Sequence, residues 1–164
     1  MKLSSGRILI CPLSKRDIPQ ILEMYLEIDA FKYVKPFQNK SSEFYFDFLN
    51  KKLNSDTKEV ELWTVRKKED NTFIGTANLS QFASTSMIQI GCHIKKNNWS
   101  KGYASETLTE ILTYGTEIKK LNEIFGVFEL NNIASKKILE KLNFKFSENK
   151  IFFETEVNVY KYSV

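Results

Sequence analysis

The sequence is poor in cysteine and histidine, and their scarcity excludes whole classes of site. The two cysteines, Cys11 and Cys92, lie far apart and form no Cys-x-x-Cys pair, so a disulfide framework and a zinc ribbon are both excluded. We expect both to be buried free thiols, because cysteine behaves as a small hydrophobe. The only histidine, His93, has no carboxylate or thiol at metal-ligand spacing. We therefore predict no metal site.

Long apolar runs and dense blocks of charge are also lacking. The segment Met1–Arg7 holds no apolar run of signal-peptide length, and no other stretch is long enough to span a bilayer. The 24 basic and 20 acidic residues are dispersed, without the Lys/Arg block of a nucleic-acid-binding tail. These absences predict a cytoplasmic protein with no membrane and no nucleic-acid partner. The net charge of +4 suits a phosphate-bearing ligand but does not identify one.

What the sequence does contain is material for a packed core. A length of 164 residues is close to that of one domain, so we predict a single domain over residues 1–164. Hydrophobic residues make up 42% of the chain and include thirteen phenylalanines, which favours a substantial buried interior over disorder.

Hydrophobic periodicity predicts strands and helices in a mixed order. The predicted strands are Arg7–Leu13, Val60–Arg66, Thr72–Leu79, Met87–Ile94, Ile124–Leu130, Phe144–Phe146 and Ile151–Tyr162. The predicted helices follow Asp17, run from Ser41 or Ser42 towards Leu53, and cover Tyr103–Lys119 and Asn132–Leu142. Because strand–helix–strand units need crossover connections, this order predicts an α/β fold with a mixed sheet and helices packed against it.

Local signals refine the N-terminal half. Asp17 and Gln20 have the spacing of a capping box, and Pro19 is tolerated in the first helical turn. The aromatic stretch Phe31–Phe37 is predicted to be a loop. The polar turn Lys67–Asn71 between two strands predicts an antiparallel hairpin.

The turn Trp99–Ala104 is the clearest candidate for a ligand site. It leads into the strongest predicted helix, whose first N–H groups and positive dipole end are suited to an anion. Gly102 permits close approach of the backbone to a diphosphate, and Lys101 adds charge. The alternative interpretation is a solvated turn between a strand and a helix.

Three groups of short motifs occur in order along most of the chain. Around the turn, Gly102 and Ala104 fit the pattern Arg/Gln-x-x-Gly-x-Gly/Ala, with Trp99 in the Arg/Gln place. Upstream lie the strand segments Phe73–Gly75 and Ile90–Ile94. Downstream lie an Asn-x-x-Ser motif, Asn132 to Ser135, and the run Leu139–Phe144, in which Asn143 stands where a Glu-Lys-Leu-Gly-Phe pattern has glycine.

In combination these motifs resemble the GNAT acetyltransferase superfamily, in particular its ribosomal-protein N-terminal acetyltransferase-like branch. The resemblance implies a mostly antiparallel mixed sheet of about seven strands with about four helices. It also implies that acetyl-CoA is the cosubstrate and lies in a splay between the strands Met87–Ile94 and Ile124–Leu130. By the same resemblance, the cofactor-binding residues are His93, Ile94, Trp99, Lys101, Gly102, Tyr103, Ala104, Ser105 and Asn132.

The resemblance makes Ser135 the catalytic residue, as a hydrogen-bond donor to the departing sulfur. The alternative is a first-turn hydroxyl that bonds to the backbone. Asn132 is a favoured N-cap, and the resemblance also makes its side chain a pantetheine contact. For His93 we favour a structural or wall position over general-base chemistry, and a backbone N–H near it and Ile94 is expected to stabilise the oxyanion.

The general base is open, because Gln89 stands where related enzymes often carry glutamate and an amide cannot accept the proton. Glu61, Glu129 and water are the remaining candidates. We expect an N-acetyltransferase that acts by direct attack on a protein N-terminus or a small amine such as a polyamine. The alternatives are a non-catalytic CoA-binding sensor and an α/β module that binds nothing. Exposed edge strands are compatible with a homodimer.

Overall fold

A single eight-stranded sheet organises the computed structural model, which describes residues 1–55 and 60–164. The strands are β1 (Leu3–Ser4), β2 (Ile8–Pro12), β3 (Val60–Lys67), β4 (Phe73–Gln81), β5 (Ile88–Ile94), β6 (Glu123–Glu129), β7 (Lys145–Phe152) and β8 (Thr155–Ser163). Their order is β1-β2-β3-β4-β5-β6-β8-β7, and every neighbouring pair is antiparallel except β5 with β6. The predicted mixed, mostly antiparallel α/β fold is confirmed. The additional strand is the two-residue β1, which is too short to leave a periodic signal.

Four α-helices accompany the sheet. They are α1 (Ile18–Tyr25), α2 (Ser42–Leu53), α3 (Tyr103–Thr113) and α4 (Ile133–Lys141). As predicted, Ser41 caps α2, and its hydroxyl accepts the N–H of Phe44 at 3.2 Å. The long predicted helix Tyr103–Lys119 continues beyond α3 as a π-helical turn over Tyr114–Ile118.

The helices lie on both faces of the sheet. Along β4, Phe73 packs into one hydrophobic cluster with α1 and α2, whereas its neighbour Ile74 packs into another with α3 and α4. Because successive strand residues point to opposite faces, the two clusters lie on opposite sides of the sheet. We call these sides the α1/α2 face and the α3/α4 face.

The cap of α1 differs from the predicted capping box. The carboxylate of Asp17 accepts the backbone N–H and the hydroxyl of Ser14, at 2.8 and 2.6 Å. Among the described residues, Asp17 does not form the predicted capping box with Gln20. Asp17 and Gln20 instead both bind the guanidinium of Arg66, at 2.6 and 3.0 Å. The half-buried Arg66 on β3 therefore binds the two side chains that were predicted to cap the helix.

The C-terminal hairpin is longer than predicted. We expected a turn after Phe146, but the polar run that follows continues as β7, and the chain turns at Phe153 and Glu154 with positive φ of 51° and 58°. Nearly all of β7 is exposed, so it has no buried face to produce an alternating pattern. Phenylalanine and glutamate are also not typical of such a turn.

Candidate active site

A gap opens between the two parallel strands at the centre of the sheet. Across the described parts of β5 and β6, the one registered pair is Gln89 with Phe125, near the beginning of both strands. Beyond it the strands run on to Ile94 and Glu129 without further pairing. The backbone ladder is therefore missing over most of the length where the splay was predicted.

One edge of the gap carries backbone groups of β5 that are directed away from β4. The N–H of Lys95 donates to the carbonyl of Ile74 at 2.8 Å, so the bonding direction of this residue is towards β4. Because that direction alternates along an antiparallel strand, the backbone of His93 also faces β4, and the backbones of Cys92 and Ile94 face the gap. A ligand in the gap therefore meets Ile94 by its backbone and not His93.

The turn before α3 closes back onto this edge. The indole N–H of Trp99 donates to the carbonyl of Ile94 at 2.6 Å, while the ring is 51% exposed. Gly102 is the N-cap residue of α3 with a left-handed φ of 82°, and Ser100 has a φ of 59°. The Nζ of Lys101 donates to the carbonyl of Asn97 at 2.8 Å.

The first turn of α3 presents a short row of N–H groups. The first N–H groups of a helix have no acceptor inside it, and here they belong to Tyr103, Ala104 and Ser105. The glycine at the cap leaves the backbone uncovered, and the helix dipole adds partial positive charge. The turn is therefore an anion-binding geometry beside the gap.

Arg7 is a component of this turn that sequence reasoning missed. Its guanidinium bonds Glu106 of α3 at 2.6 and 2.7 Å, donates to the carbonyl of Lys101 at 3.0 Å, and lies 4.7 Å from the centre of the Tyr103 ring. A Cβ placed on Gly102 would come 3.2 Å from Arg7 Nη2. The one available signal was a basic residue at the start of a strand, and only the tertiary fold places it at the turn.

Glu106 is the anchor of that arginine. Burial raises the pKa of this carboxyl, but hydrogen bonds from Ser5 and Arg7 outweigh the effect, so the pKa lies below its ordinary value. Its carboxylate also accepts the backbone N–H of Arg7 at 2.9 Å. The N-terminal strand region and the first turn of α3 are thereby joined by one charged pair.

The other wall of the gap leads into α4. Asn132 is the N-cap residue, and its Oδ1 accepts the N–H of Ser135 at 3.2 Å. The side chain of Ser135 is half-buried, and its hydroxyl has no hydrogen-bond partner among residues 1–55 and 60–164. The alternative interpretation required a hydrogen bond from this hydroxyl to the helix backbone, and the described structure does not contain one.

His93 lies on the α1/α2 face within aromatic rings. The ring centres of Tyr25 and Phe31 are 5.6 and 5.1 Å from that of the imidazole. Burial lowers the pKa of His93 to about 4, so the ring is neutral at physiological pH. This is the wall position that we favoured, and such a weak base is poorly matched to an amine.

The two candidate carboxylates have different surroundings. Glu61 is paired with Lys119 and accepts the hydroxyl of Tyr114 at 3.0 Å, at the end of α3 remote from the anion-binding turn. Glu129 lies at the end of β6 and accepts the backbone N–H of Lys35 at 2.9 Å. The gap thus has Glu129 at its open end, while Glu61 is occupied elsewhere.

The thiols are free as predicted, but both are half-buried and not fully buried. Burial raises the pKa of Cys92 to about 12, so its thiolate is not available as a nucleophile near neutral pH. No cluster of three or more His, Cys, Asp or Glu residues with metal-binding geometry occurs in the described part of the chain. Within the same residues, no helix is long and apolar enough to cross a membrane.

A sequence model of the acetyltransferase (GNAT) domain matches residues 7–145, which include β5, the turn, β6 and α4. The chain belongs to the GNAT acetyltransferase family. This GNAT protein is 22% identical over 163 residues to the uncharacterized protein YkkB of Bacillus subtilis (strain 168), and the match covers 98% of this chain and 94% of YkkB.

Solved structures show that the GNAT fold extends over the whole chain. A GNAT-family acetyltransferase from Bacillus anthracis has a TM-score of 0.83 at 22% identity, over 99% of this chain and 98% of that one. RimL, a ribosomal L7/L12 alpha-N-protein acetyltransferase solved in complex with coenzyme A, has a TM-score of 0.84 at 13% identity, over 100% and 98% of the two chains. At such identities the likeness describes the fold alone.

Proposed function

We propose that this GNAT protein transfers an acetyl group from acetyl-CoA to a primary amine, by direct attack through a tetrahedral intermediate. The acceptor is a protein N-terminus or a small amine such as a polyamine. The observation that carries the proposal is the gap between β5 and β6, which has an anion-binding turn at one wall and, at the other, the hydroxyl of Ser135, which has no hydrogen-bond partner among the described residues. The assignment to the ribosomal-protein N-terminal acetyltransferase-like branch rests on the motif resemblance, and RimL shares the fold.

The donor is held by backbone groups more than by side chains. The pyrophosphate meets the N–H groups of residues 101–105, so Lys101, Gly102, Tyr103, Ala104 and Ser105 bind it. The pantetheine extends the sheet within the gap, along the backbone of Cys92 and Ile94, and Asn132 offers its amide. Trp99 lines the site next to the turn, which its indole N–H holds against Ile94. His93 lines the site with its ring only, because its backbone is directed to β4.

The proposed reaction does not require an ionisable side chain to take up or release a proton. The amine attacks only when neutral, and ordinary amines have pKa values of about 8 to 10, so the proton leaves before or during attack. A backbone N–H facing the gap, that of Ile94, stabilises the oxyanion. The departing thiolate has an intrinsic pKa of about 8.5, and a hydrogen bond from Ser135 assists its departure.

The extent and setting of the protein belong to the same proposal. We place the whole activity on a single acetyltransferase domain over residues 1–164, acting in the cytoplasm. The continuous sheet and a domain match from residue 7 to 145 support one domain. A homodimer is compatible with the exposed edge strand β7.

A thiol-release assay tests the proposal. Acetyl-CoA is supplied with polyamines, aminoglycosides, amino acids and N-terminal peptides, and we expect turnover with at least one class. Calorimetry with CoA alone separates the remaining alternatives, because a sensor binds without turnover and an inert module does not bind. Binding without thiol release across the panel would contradict the enzymatic proposal and favour a sensor.

A further inference from the structure

The loop between α1 and α2 crosses the mouth of the gap on the α1/α2 face. At one end of the crossing, Phe31 lies against the imidazole of His93 on β5, with ring centres 5.1 Å apart. At the other end, the backbone N–H of Lys35 donates to Glu129 Oε1 on β6 at 2.9 Å. Four residue steps span at most about 14 Å, so this short segment bridges the two strand ends. We call residues 31–35 the crossing loop.

Glu129 shares this face with the wall of the gap. The registered pair of Gln89 with Phe125 places the two side chains on one side of the sheet, and every second residue onward stays on that side. His93 and Glu129 are therefore on the same face, at the ends of the two diverging strands. Ser135 follows Glu129 closely in the chain, and the N–H of Asn132 bonds the carbonyl of Glu129 at 2.9 Å.

In the described part of the chain, the carboxylate of Glu129 is not paired with a cation. It is half-buried, and no ion pair within 4.0 Å of it occurs among residues 1–55 and 60–164. Lys35 directs its Nζ to the carbonyl of Glu154 at 3.3 Å and gives Glu129 only its backbone N–H. That bond orients Oε1, and Oε2 has no hydrogen-bond donor among the described residues.

The other carboxylates of the central strands are engaged or distant. Across β4, β5 and β6 the acidic residues are Glu123 and Glu129, and Glu123 is paired with Lys161 at 2.8 Å at the opposite end of β6. Glu61 on β3 is held by Lys119 and Tyr114. A half-buried carboxylate without a counter-ion, at the open end of a ligand gap, is a site for a cation.

We propose that Glu129 is the binding site for the ammonium group of the acceptor, and that it selects primary amines that are protonated at neutral pH. This inference rests on the proposed acetyltransferase function. The arriving ammonium donates a hydrogen bond to Glu129 Oε2 beneath the crossing loop. Glu129 is thus a substrate-binding residue at the open end of the gap, whereas Gln89 lies near the beginning of β5.

In the transfer step, the acetyl group moves from sulfur to nitrogen. The bound ammonium gives one proton to water and becomes a neutral amine, whose nitrogen bonds to the acetyl carbonyl carbon. As the tetrahedral intermediate collapses, the carbon–sulfur bond breaks and its electron pair goes to sulfur. The nitrogen loses its second proton to water, and the thiolate takes up a proton from the solvent, so one proton is released overall.

Calorimetry on the CoA-loaded protein tests the site directly. The probes are spermidine and an unblocked Ser-Gly-Gly-Gly peptide, titrated into wild type, Glu129→Gln and Glu123→Gln. The two variants make the same charge change at opposite ends of one strand. We expect at least one probe to bind wild type, about tenfold or more weaker binding to Glu129→Gln, and a change below about twofold for Glu123→Gln. Absence of binding of both probes to wild type, or equal binding to Glu129→Gln, would overturn the proposal.

Turnover separates this site from the reaction itself. Glu129→Gln is expected to raise KM for a protonated amine about tenfold, whereas Glu123→Gln is expected to change it by less than about twofold. The acetyl-CoA affinity stays unchanged. An unaltered KM for the protonated amine in an active enzyme would reject the ammonium site and leave the acetyltransferase proposal standing. If amine binding depends on Glu129 but no thiol is released, the ammonium site stands and the acetyltransferase proposal is rejected.

Discussion

At the scale of single residues, the two walls of the gap differ in whether their side chains can donate a hydrogen bond to the reacting groups. Ser135 has a hydroxyl that is free of the helix backbone, next to an N-cap asparagine. His93 has an imidazole enclosed by aromatic rings and held neutral. The first is suited to donate a hydrogen bond during the reaction, and the second to shape the cavity without ionising.

Replacing Ser135 with alanine is expected to slow turnover more than it weakens binding of the donor. We expect turnover to fall roughly tenfold to a thousandfold, because water replaces only part of the hydroxyl's effect. Acetyl-CoA affinity is expected to change by less than about threefold if the hydroxyl acts mainly in the transition state. Single-turnover rate, CoA affinity and melting temperature measured on the same variant check this. Normal chemistry in a destabilised protein would assign Ser135 to the helix end alone.

His93 makes stability depend on pH in a predictable direction. Its pKa is about 4 in the folded protein and about 6.5 in the unfolded chain, so below pH 6.5 only the unfolded chain takes up the proton readily. The contribution of neutral His93 to the free energy of unfolding is complete above pH 6.5. It is lost as pH falls towards 4, by up to about 1.4 kcal/mol per pH unit. Urea unfolding at pH 7.5 and pH 4.5 should show a smaller loss for His93→Phe than for wild type. An identical loss in both proteins would show that another group controls the acid limb.

At the scale of elements, the turn before α3 depends on a glycine conformation and on an ion pair. Gly102 stands at a left-handed φ of 82° and close to Arg7 Nη2. A bulky β-branched residue there is strained in its backbone as well as in its contacts, so its effect on binding includes a cost to folding.

Gly102→Val is therefore best compared with Gly102→Asn, since asparagine tolerates the left-handed region. We expect Val to weaken CoA binding strongly, because it covers the N–H groups and distorts the cap, and Asn to weaken it less. CoA titration by calorimetry and a melting curve for each variant measure the two effects separately. Unchanged affinity in both variants would place the phosphates at another part of the fold.

Arg7 and Glu106 are expected to act as positioning residues for the same turn. Arg7→Met and Glu106→Gln should each weaken CoA binding by roughly three- to tenfold, and the double variant by little more than either, because both remove one pair. Arg7→Lys should not restore affinity fully, since an ammonium lacks the two-pronged geometry of the guanidinium. Additive losses in the calorimetric cycle would contradict a shared role.

The sequence predicted those elements whose signal is local. Ser41 caps α2 and Asn132 caps α4, as their positions before apolar runs indicated, and the strands around the gap were located to within a residue or two. The failures have tertiary causes. Arg66 takes Asp17 and Gln20 away from the expected cap, and exposed β7 lacks the alternation that marks a half-buried strand. The positions of Arg7 and of the crossing loop depend on contacts across about a hundred residues of chain.

At the scale of the whole molecule, the donor is expected to stabilise the fold. A ligand that binds only the native state raises its stability by mass action, so CoA and acetyl-CoA at millimolar concentration should raise the melting temperature. With a micromolar dissociation constant, a thousandfold excess corresponds to about 4 kcal/mol. Differential scanning calorimetry with and without CoA measures the shift, and its absence at millimolar ligand would remove the donor assignment.

The single registered pair between β5 and β6 has a consequence for how the protein opens. The backbone ladder is nearly interrupted there, so β6, β8 and β7 are joined to the first five strands mainly through side chains. Regions joined by few backbone bonds open below the global unfolding energy. Amide hydrogens of β6 and β8 should therefore exchange with deuterium sooner than those of β3 and β4. Bound CoA should slow that exchange selectively, since a pantetheine in the gap fastens the two parts of the sheet together.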